Sequence, residues 1–217
     1  MSRKGFPVVV AAPSGTGKTT VCRMVVERDP GVVFSVSHTT RVRREGEVDG
    51  RDYHFVGEET FRGMADAGEF LEWAVYNGNR YGTSWAAIEE SLAHGREVLL
   101  EIEVQGAGQV RERRADARLV FLLPPSMKAL RERLAGRGTD SHAVIEGRLA
   151  LAQTELRAAD GFHYAVVNDD LETCVANLAE ILAAERVGNA LPLRRRFAPG
   201  AALERLRAAE REAEAAG

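Results

Sequence analysis

Residues Val10 to Thr20 read V-A-A-P-S-G-T-G-K-T-T. Gly17, Lys18 and Thr19 fall on the end of the phosphate-loop pattern G-x-x-x-x-G-K-[ST], whose first glycine is Ala12 here. The chemistry of such a loop is anion capture. Glycine lacks the Cβ that would hold a polyphosphate away, so the N–H groups from Gly15 to Thr19 can wrap one. A helix starting there turns its positive end toward the charge. Lys18 supplies a point charge, Thr19 a hydroxyl for Mg²⁺, and Ser14, Thr16 and Thr20 complete the polar lining. The substituted Ala12 fits if it keeps strand-like dihedrals. The expectation is negative φ there and the left-handed region at Gly15 or Gly17.

A second concentration of chemistry follows in Ser37 to Phe55, where arginines stand beside hydroxyls. Arg41, Arg44 and Tyr53 either converge on another phosphate, two arginines giving bidentate contacts and the tyrosine a neutral donor, or form a solvated basic loop. Glu72 lies between Leu71 and Trp73. Glu101 and Glu103 are two apart on an expected strand, which turns both carboxylates the same way at the strand's carboxyl end. His38, His54 and His163 are left out of the chemistry, because a phosphate oxygen already ionised near neutrality needs no strong base to attack a phosphoryl group.

These residues need elements to hold them. Pro7 to Ala12 reads as a buried strand and Lys18 to Arg28 as an amphipathic helix, the context a phosphate loop requires. Buried runs recur at 97–102, 118–123 and 164–167, followed by helix-like segments at 104–113, 126–134 and 170–187. This alternation argues an α/β fold with a parallel, doubly wound sheet. Residues 37–83 break the rhythm with closely spaced glycines and short aromatic pieces, as a small insert would. A second irregular piece, about 135–150, contains Arg137 and opens a helix carrying Arg148, with Thr139 or Asp140 as its cap. Beyond Asn189 come Arg194-Arg195-Arg196 and an Ala/Glu/Arg-rich segment whose thin apolar stripe suggests a peripheral or partly frayed helix. The basic run is read as solvating the chain end.

The 217 residues are enough for one well-buried core, and a net charge of −3 gives no global attraction to nucleic acid or anionic membranes. Cys22 and Cys174 lack metal-ligand spacing and suit reduced thiols in the cytoplasm. No signal segment or membrane span is expected.

Several pieces stand together in order and spacing: A-P-S-G-T-G-K-T, S-V-S-H-T-T-R, G-R-D-Y, E-F-L-E-W, Y-G-T, E-I-E-V-Q-G, G-R-G-T and V-N-D-D. Over about residues 7–187 the chain resembles guanylate kinases. The resemblance implies the P-loop NTPase core, at about 7–36 and 84–188, with 37–83 as a GMP-binding insert and 135–150 as a lid. It implies an ATP- and Mg²⁺-dependent phosphorylation of GMP and dGMP. Ser37, Arg41, Arg44, Tyr53 and Tyr81 would hold the GMP phosphate, with Glu72, Thr83 and Glu103 around the guanine. Arg137 and Arg148 would close over the transferring group alongside Lys18, Asn168 would contact the ATP nucleoside, and Glu101 would serve the metal with Thr19. Guanine presents N1–H and N2–H₂ as adjacent donors that one carboxylate accepts, whereas adenine would set a lone pair against it. The resemblance leaves 189–217 unexplained and monomer or homodimer open. A catalytically silent interaction module and a kinase of a different substrate on the same core are the alternatives.

Overall fold

The computed structural model describes residues 4–136 and 141–215. Arg137 and the cap candidates Thr139 and Asp140 lie outside the described residues. The strands are β1 Pro7–Ala11, β2 Val32–Phe34, β3 His38–Thr39, β4 His54–Phe55, β5 Phe70–Tyr76, β6 Asn79–Ser84, β7 Glu97–Glu101, β8 Arg118–Leu123 and β9 Tyr164–Val167. The helices are α1 Lys18–Arg28, α2 Glu58–Asp66, α3 Ala86–Ala93, α4 Val104–Arg113, α5 Met127–Ala135, α6 His142–Leu156, α7 Leu171–Arg186, α8 Leu191–Arg196 and α9 Pro199–Ala215, with a 3-10 turn at Arg157–Gly161. The chain forms two compact units, one from the residues up to Val9 with Pro30–Arg118, the other from Val10–Asp29 with Leu119 onward.

In the first unit β7 lies between β2 and the start of β1, and β2 runs parallel to β7 from Val32↔Glu97 to Phe34↔Leu99. These strands read as continuous apolar runs because both faces are buried, as parallel strands require. A separate sheet, in the order β4-β3-β6-β5, comes from residues 38–84 and has one parallel pairing, β3 with β4, among antiparallel ones. Its longest ladder, β5 with β6, closes through Asn77 and Gly78, both at positive φ (47° and 76°). That is the conformation a two-residue hairpin loop demands, and Asn-Gly is the sequence that adopts it most readily.

In the second unit the end of β1 neighbours β8, and β8 pairs in parallel with β9 from Val120↔Tyr164 to Leu123↔Val167. Helix α1 buries Val21, Cys22 and Val25, and packs on α7, which buries Cys174, Val175, Leu178, Ile181 and Leu182. Side-chain caps start two helices: Ser126 Oγ accepts from Ala129 N–H before α5, and Asp170 Oδ1 from Thr173 N–H before α7. Each is worth about 1 kcal/mol.

Four expectations are corrected. Strand β7 stops at Glu101, and Glu103 is the residue preceding α4 (φ −83°, ψ 163°), so the two carboxylates do not share a strand. The strand's pairing ends before the apolar run does, since Ile102 is buried outside β7 and α4 begins at Val104. The tail is not peripheral: Leu193, Phe197, Ala202, Leu203 and Leu206 are buried, and α9 packs on β9. Two arginines of the basic run are paired rather than merely solvated, Arg194 with Glu185 at 2.8 Å and Arg196 with Glu180 at 2.9 Å. The cap of α6 is Ser141.

Candidate active site

The phosphate loop is shaped by main chain. Gly15 and Gly17 take φ of 92° and 95°, in the left-handed region. Ala12 keeps negative φ, since among the described residues Asn77 alone of the non-glycines is positive. Ala12 is buried just past the end of β1, where its backbone conformation is one that any L-residue adopts. Gly17 is the N-cap of α1 with no side-chain hydrogen bond, and the first turn carries no acidic residue. The amides at the start of α1 thus present a positive helix end with no carboxylate of their own turn opposing an anion. A methyl added at Gly15 would come within 2.8 Å of Leu134 Cδ2, and one at Gly17 within 2.7 Å of Asn168 Nδ2, so the cradle is packed from behind. Asn168 is buried and donates to Thr16 O at 2.7 Å, while Arg133 donates to Asn168 O at 3.0 Å. From α6, Arg148 Nη2 donates to Ser14 Oγ at 2.6 Å, which brings that guanidinium to the loop's rim.

The insert sheet gathers side chains on one face by its period of two. Thr39 is paired with Tyr81, and Glu72 with Thr83, so residues 72, 81 and 83 face the same way as 39 and, two residues earlier, 37. The contacts agree. Ser37 Oγ lies 3.3 Å from Thr83 Oγ1, Thr83 N–H donates to Glu72 Oε1 at 3.0 Å, and the Tyr53 and Tyr81 rings stand 5.9 Å apart. The Arg41 guanidinium lies over the Tyr53 ring at 5.5 Å. Glu47 organises the arginines: one oxygen accepts from Arg41 Nη2 and the other from Arg44 N–H, both at 2.7 Å. The hydrogen bond from Arg41 holds the Glu47 carboxyl below the usual carboxylate range. Burial, then the Glu101 carboxylate, pushes the Tyr53 phenol up, so it is a neutral donor at physiological pH. The opposite face holds His38 beside His54, their rings 4.7 Å apart and tilted by 30°, with Phe70 stacked on Phe61.

Glu72 is 3 % exposed, and a buried carboxylate demands firm support. Helix α4 provides it. β5 is an edge strand whose open groups would otherwise lack partners. Gln109 exchanges two hydrogen bonds with the Trp73 backbone, at 2.7 and 3.3 Å, and Arg113 donates to Phe70 O and Leu71 O at 3.1 and 2.8 Å. At Gly106 a Cβ would lie 2.3 Å from Glu72 Oε2, so this glycine makes room for the carboxylate itself.

A family profile described as guanylate kinase matches residues 4–185. The chain belongs to the guanylate kinase family. A guanylate kinase of Aromatoleum aromaticum is 50 % identical over 183 residues, 84 % of this chain and 90 % of that one. One from Dechloromonas aromatica is 53 % identical over 176 residues, 81 % and 87 % of the two chains. The crystal structure of guanylate kinase from Anaplasma phagocytophilum is similar with a TM-score of 0.71 at 34 % identity, covering 85 % of this chain and 88 % of that one.

For this guanylate kinase family member the sequence-derived residues fall into two groups. Ser14 to Thr20, Arg148 and Asn168 belong to the second unit; Ser37, Arg41, Arg44, Tyr53, Glu72, Tyr81, Thr83, Glu101 and Glu103 belong to the first. Asn168, expected at a nucleoside, has its amide nitrogen on the Thr16 carbonyl. Sequence reasoning missed Glu47, Gln109, Arg113 and Arg133. The signal for Glu47 was present in R-R-E-G-E, a carboxylate three residues beyond Arg44, whereas the others act on main chain distant in sequence.

Proposed function

We propose that this chain transfers the γ-phosphoryl group of ATP to GMP, giving ADP and GDP, and that it accepts dGMP. The observation that carries the reading is the buried Glu72 carboxylate, aligned with Thr83 and Ser37 on the sheet face that also bears Tyr81. Such a face suits a guanine, whose adjacent N–H donors satisfy a carboxylate, and leaves adenine with an uncompensated lone pair. Ser37, Arg41, Arg44, Tyr53 and Tyr81 supply the donors for the nucleotide's phosphate, and Glu103 joins Thr83 around the base.

On the donor side, the left-handed glycines and the acid-free start of α1 fit a polyphosphate. Lys18 neutralises charge on the group in transfer, with Arg148 and, in the segment 135–150 taken as a lid, Arg137. Thr19 and Glu101 are the residues that would hold Mg²⁺, a hydroxyl and a carboxylate being a sufficient protein share for an ion that keeps waters and phosphate oxygens. When bound, Mg²⁺ offsets charge between the phosphates. An oxygen of the GMP phosphate attacks the γ-phosphorus, the bond to the β-phosphate oxygen breaks, and the electron pair stays on ADP. The chain's part is positioning and charge neutralisation, and exclusion of water protects ATP from hydrolysis.

The reading includes a cytoplasmic setting, matching the two buried free thiols, and a monomer or homodimer acting without nucleic acid or membrane. No described helix is long and apolar enough to cross a membrane. A coupled ADP-release assay with GMP, dGMP, AMP, UMP and CMP tests the proposal. Stimulation by the two guanine nucleotides is expected; none by any would overturn the enzyme reading, and preference for another base would overturn the substrate.

A further inference from the structure

The tail lies beyond the matched family segment, residues 4–185, and the reaction above gives it no task. It is nonetheless built onto the strand that leads to Asn168. β9 ends its sheet, with β8 on one side. Ala165 N–H, in that strand, donates to Phe197 O at 2.8 Å, so the residue just after α8 partners an edge strand. Leu193 and Phe197, four apart, are buried, as are Leu203 and Leu206 of α9, which packs on β9.

A polar anchor lies at the start of the same strand. Glu185 Oε1 accepts from Arg194 Nη2 at 2.8 Å, from Arg194 Nε at 3.2 Å and from Tyr164 Oη at 2.5 Å. The Glu185 side chain is only 3 % exposed, so removing Arg194 strands much of a charge inside the protein. Tyr164 is the first residue of β9, and Asn168 directly follows the last. At that far end Asn168 N–H donates to Leu123 O at 2.8 Å and its side chain to Thr16 O.

We propose that residues 190–206 form a strap that fixes β9 and thereby holds Asn168, and with it the Thr16 peptide of the phosphate loop, in nucleotide-binding position. Arg194 is the positioning residue. The inference rests on the phosphoryl-transfer reading only in taking the loop as the ATP site.

The test uses the full chain with Arg194→Met, Arg194→Lys, Phe197→Leu, Asn168→Ala and the double variant Arg194→Met/Asn168→Ala. ADP affinity is measured by calorimetry, and KM for ATP and for GMP by ADP release. Arg194→Met and Phe197→Leu are each expected to weaken ADP binding and raise the ATP KM about fivefold, roughly 1 kcal/mol of coupling, with the GMP KM unchanged. Arg194→Lys restores most of the loss, and Arg194→Met adds nothing once Asn168 is Ala. Equal rises in both KM values, unaltered ADP affinity, or full additivity with Asn168→Ala would overturn the strap. A chain that shows the ADP dependences yet never phosphorylates GMP would sink the substrate assignment and leave the strap intact.

Discussion

The phosphate loop and the insert sheet both gather groups suited to phosphate, but they do so with different parts of the chain. In the loop the groups suited to an anion are chiefly main-chain amides, and what the sequence must supply is conformation and clearance, at Gly15 and Gly17. On the sheet the corresponding groups are side chains, and what it must supply is register, a supporting helix and a glycine at 106 beside the Glu72 carboxylate. The loop therefore tolerates Ala12, whose backbone stays strand-like. The sheet should tolerate little change at positions whose side chains bond one another.

The contrast can be pressed by substitution, beginning with the deepest loss. Lys18→Ala should lower kcat by about a thousandfold while the unfolding midpoint stays put, as expected for removal of a preorganised charge. A near-normal kcat would take Lys18 out of the transfer. Glu72→Gln comes next: kcat/KM for GMP should fall about a hundredfold and the preference over AMP should shrink, because the amide turns a donor toward a donor. Unchanged discrimination in a competition assay would remove Glu72 from base reading. Gly106→Ala should act through the same carboxylate, raising the GMP KM about tenfold with the ATP KM unmoved, since its methyl would displace Glu72 Oε2.

Smaller effects probe the Glu47 brace. Glu47→Gln should raise the GMP KM about threefold, consistent with loss of a charge-assisted contact to Arg41. Because the Glu47 carboxyl titrates below its ordinary value in the folded chain, its contribution to stability is present above about pH 4.3 and disappears as pH falls through the depressed value. Urea unfolding of the wild type and Glu47→Gln across the acid range should converge at the low end. The least change is expected from thiol reagents. Burial pushes the Cys174 thiol up to about 12, so the native protein at pH 8 should label there only after unfolding.

The same contrast explains what was legible in the sequence. Conformational requirements write themselves into residue type, so G-T-G-K-T announced its loop, and short apolar runs announced β1, β8 and β9 with near-correct ends. Partners that act on distant main chain leave no such mark. Gln109 and Arg113 support β5 across about forty residues, and nothing in E-V-Q-G-A-G-Q states which strand they serve. The tail was obscure for a related reason. Leu203 and Leu206 make a thin stripe on their own helix, and their burial comes from β9, which the helical period cannot reveal. Glu103 was misplaced because alternation continues through Ile102 even though the strand's pairing has ended.

The hairpin turn at Asn77 and Gly78 carries a rule of parity. Tyr81 and Thr83 lie on the ladder opposite Ala74 and Glu72 because the loop between Tyr76 and Asn79 is two residues long. Adding one residue would present the other edge of every β6 side chain to the sheet face, exchanging Tyr81 and Thr83 for Arg80 and Gly82, whereas adding two would preserve the set. The composition of the face that carries Glu72 thus hangs on whether a solvent-exposed loop, itself bearing none of the side chains on that face, counts an even or an odd number of residues.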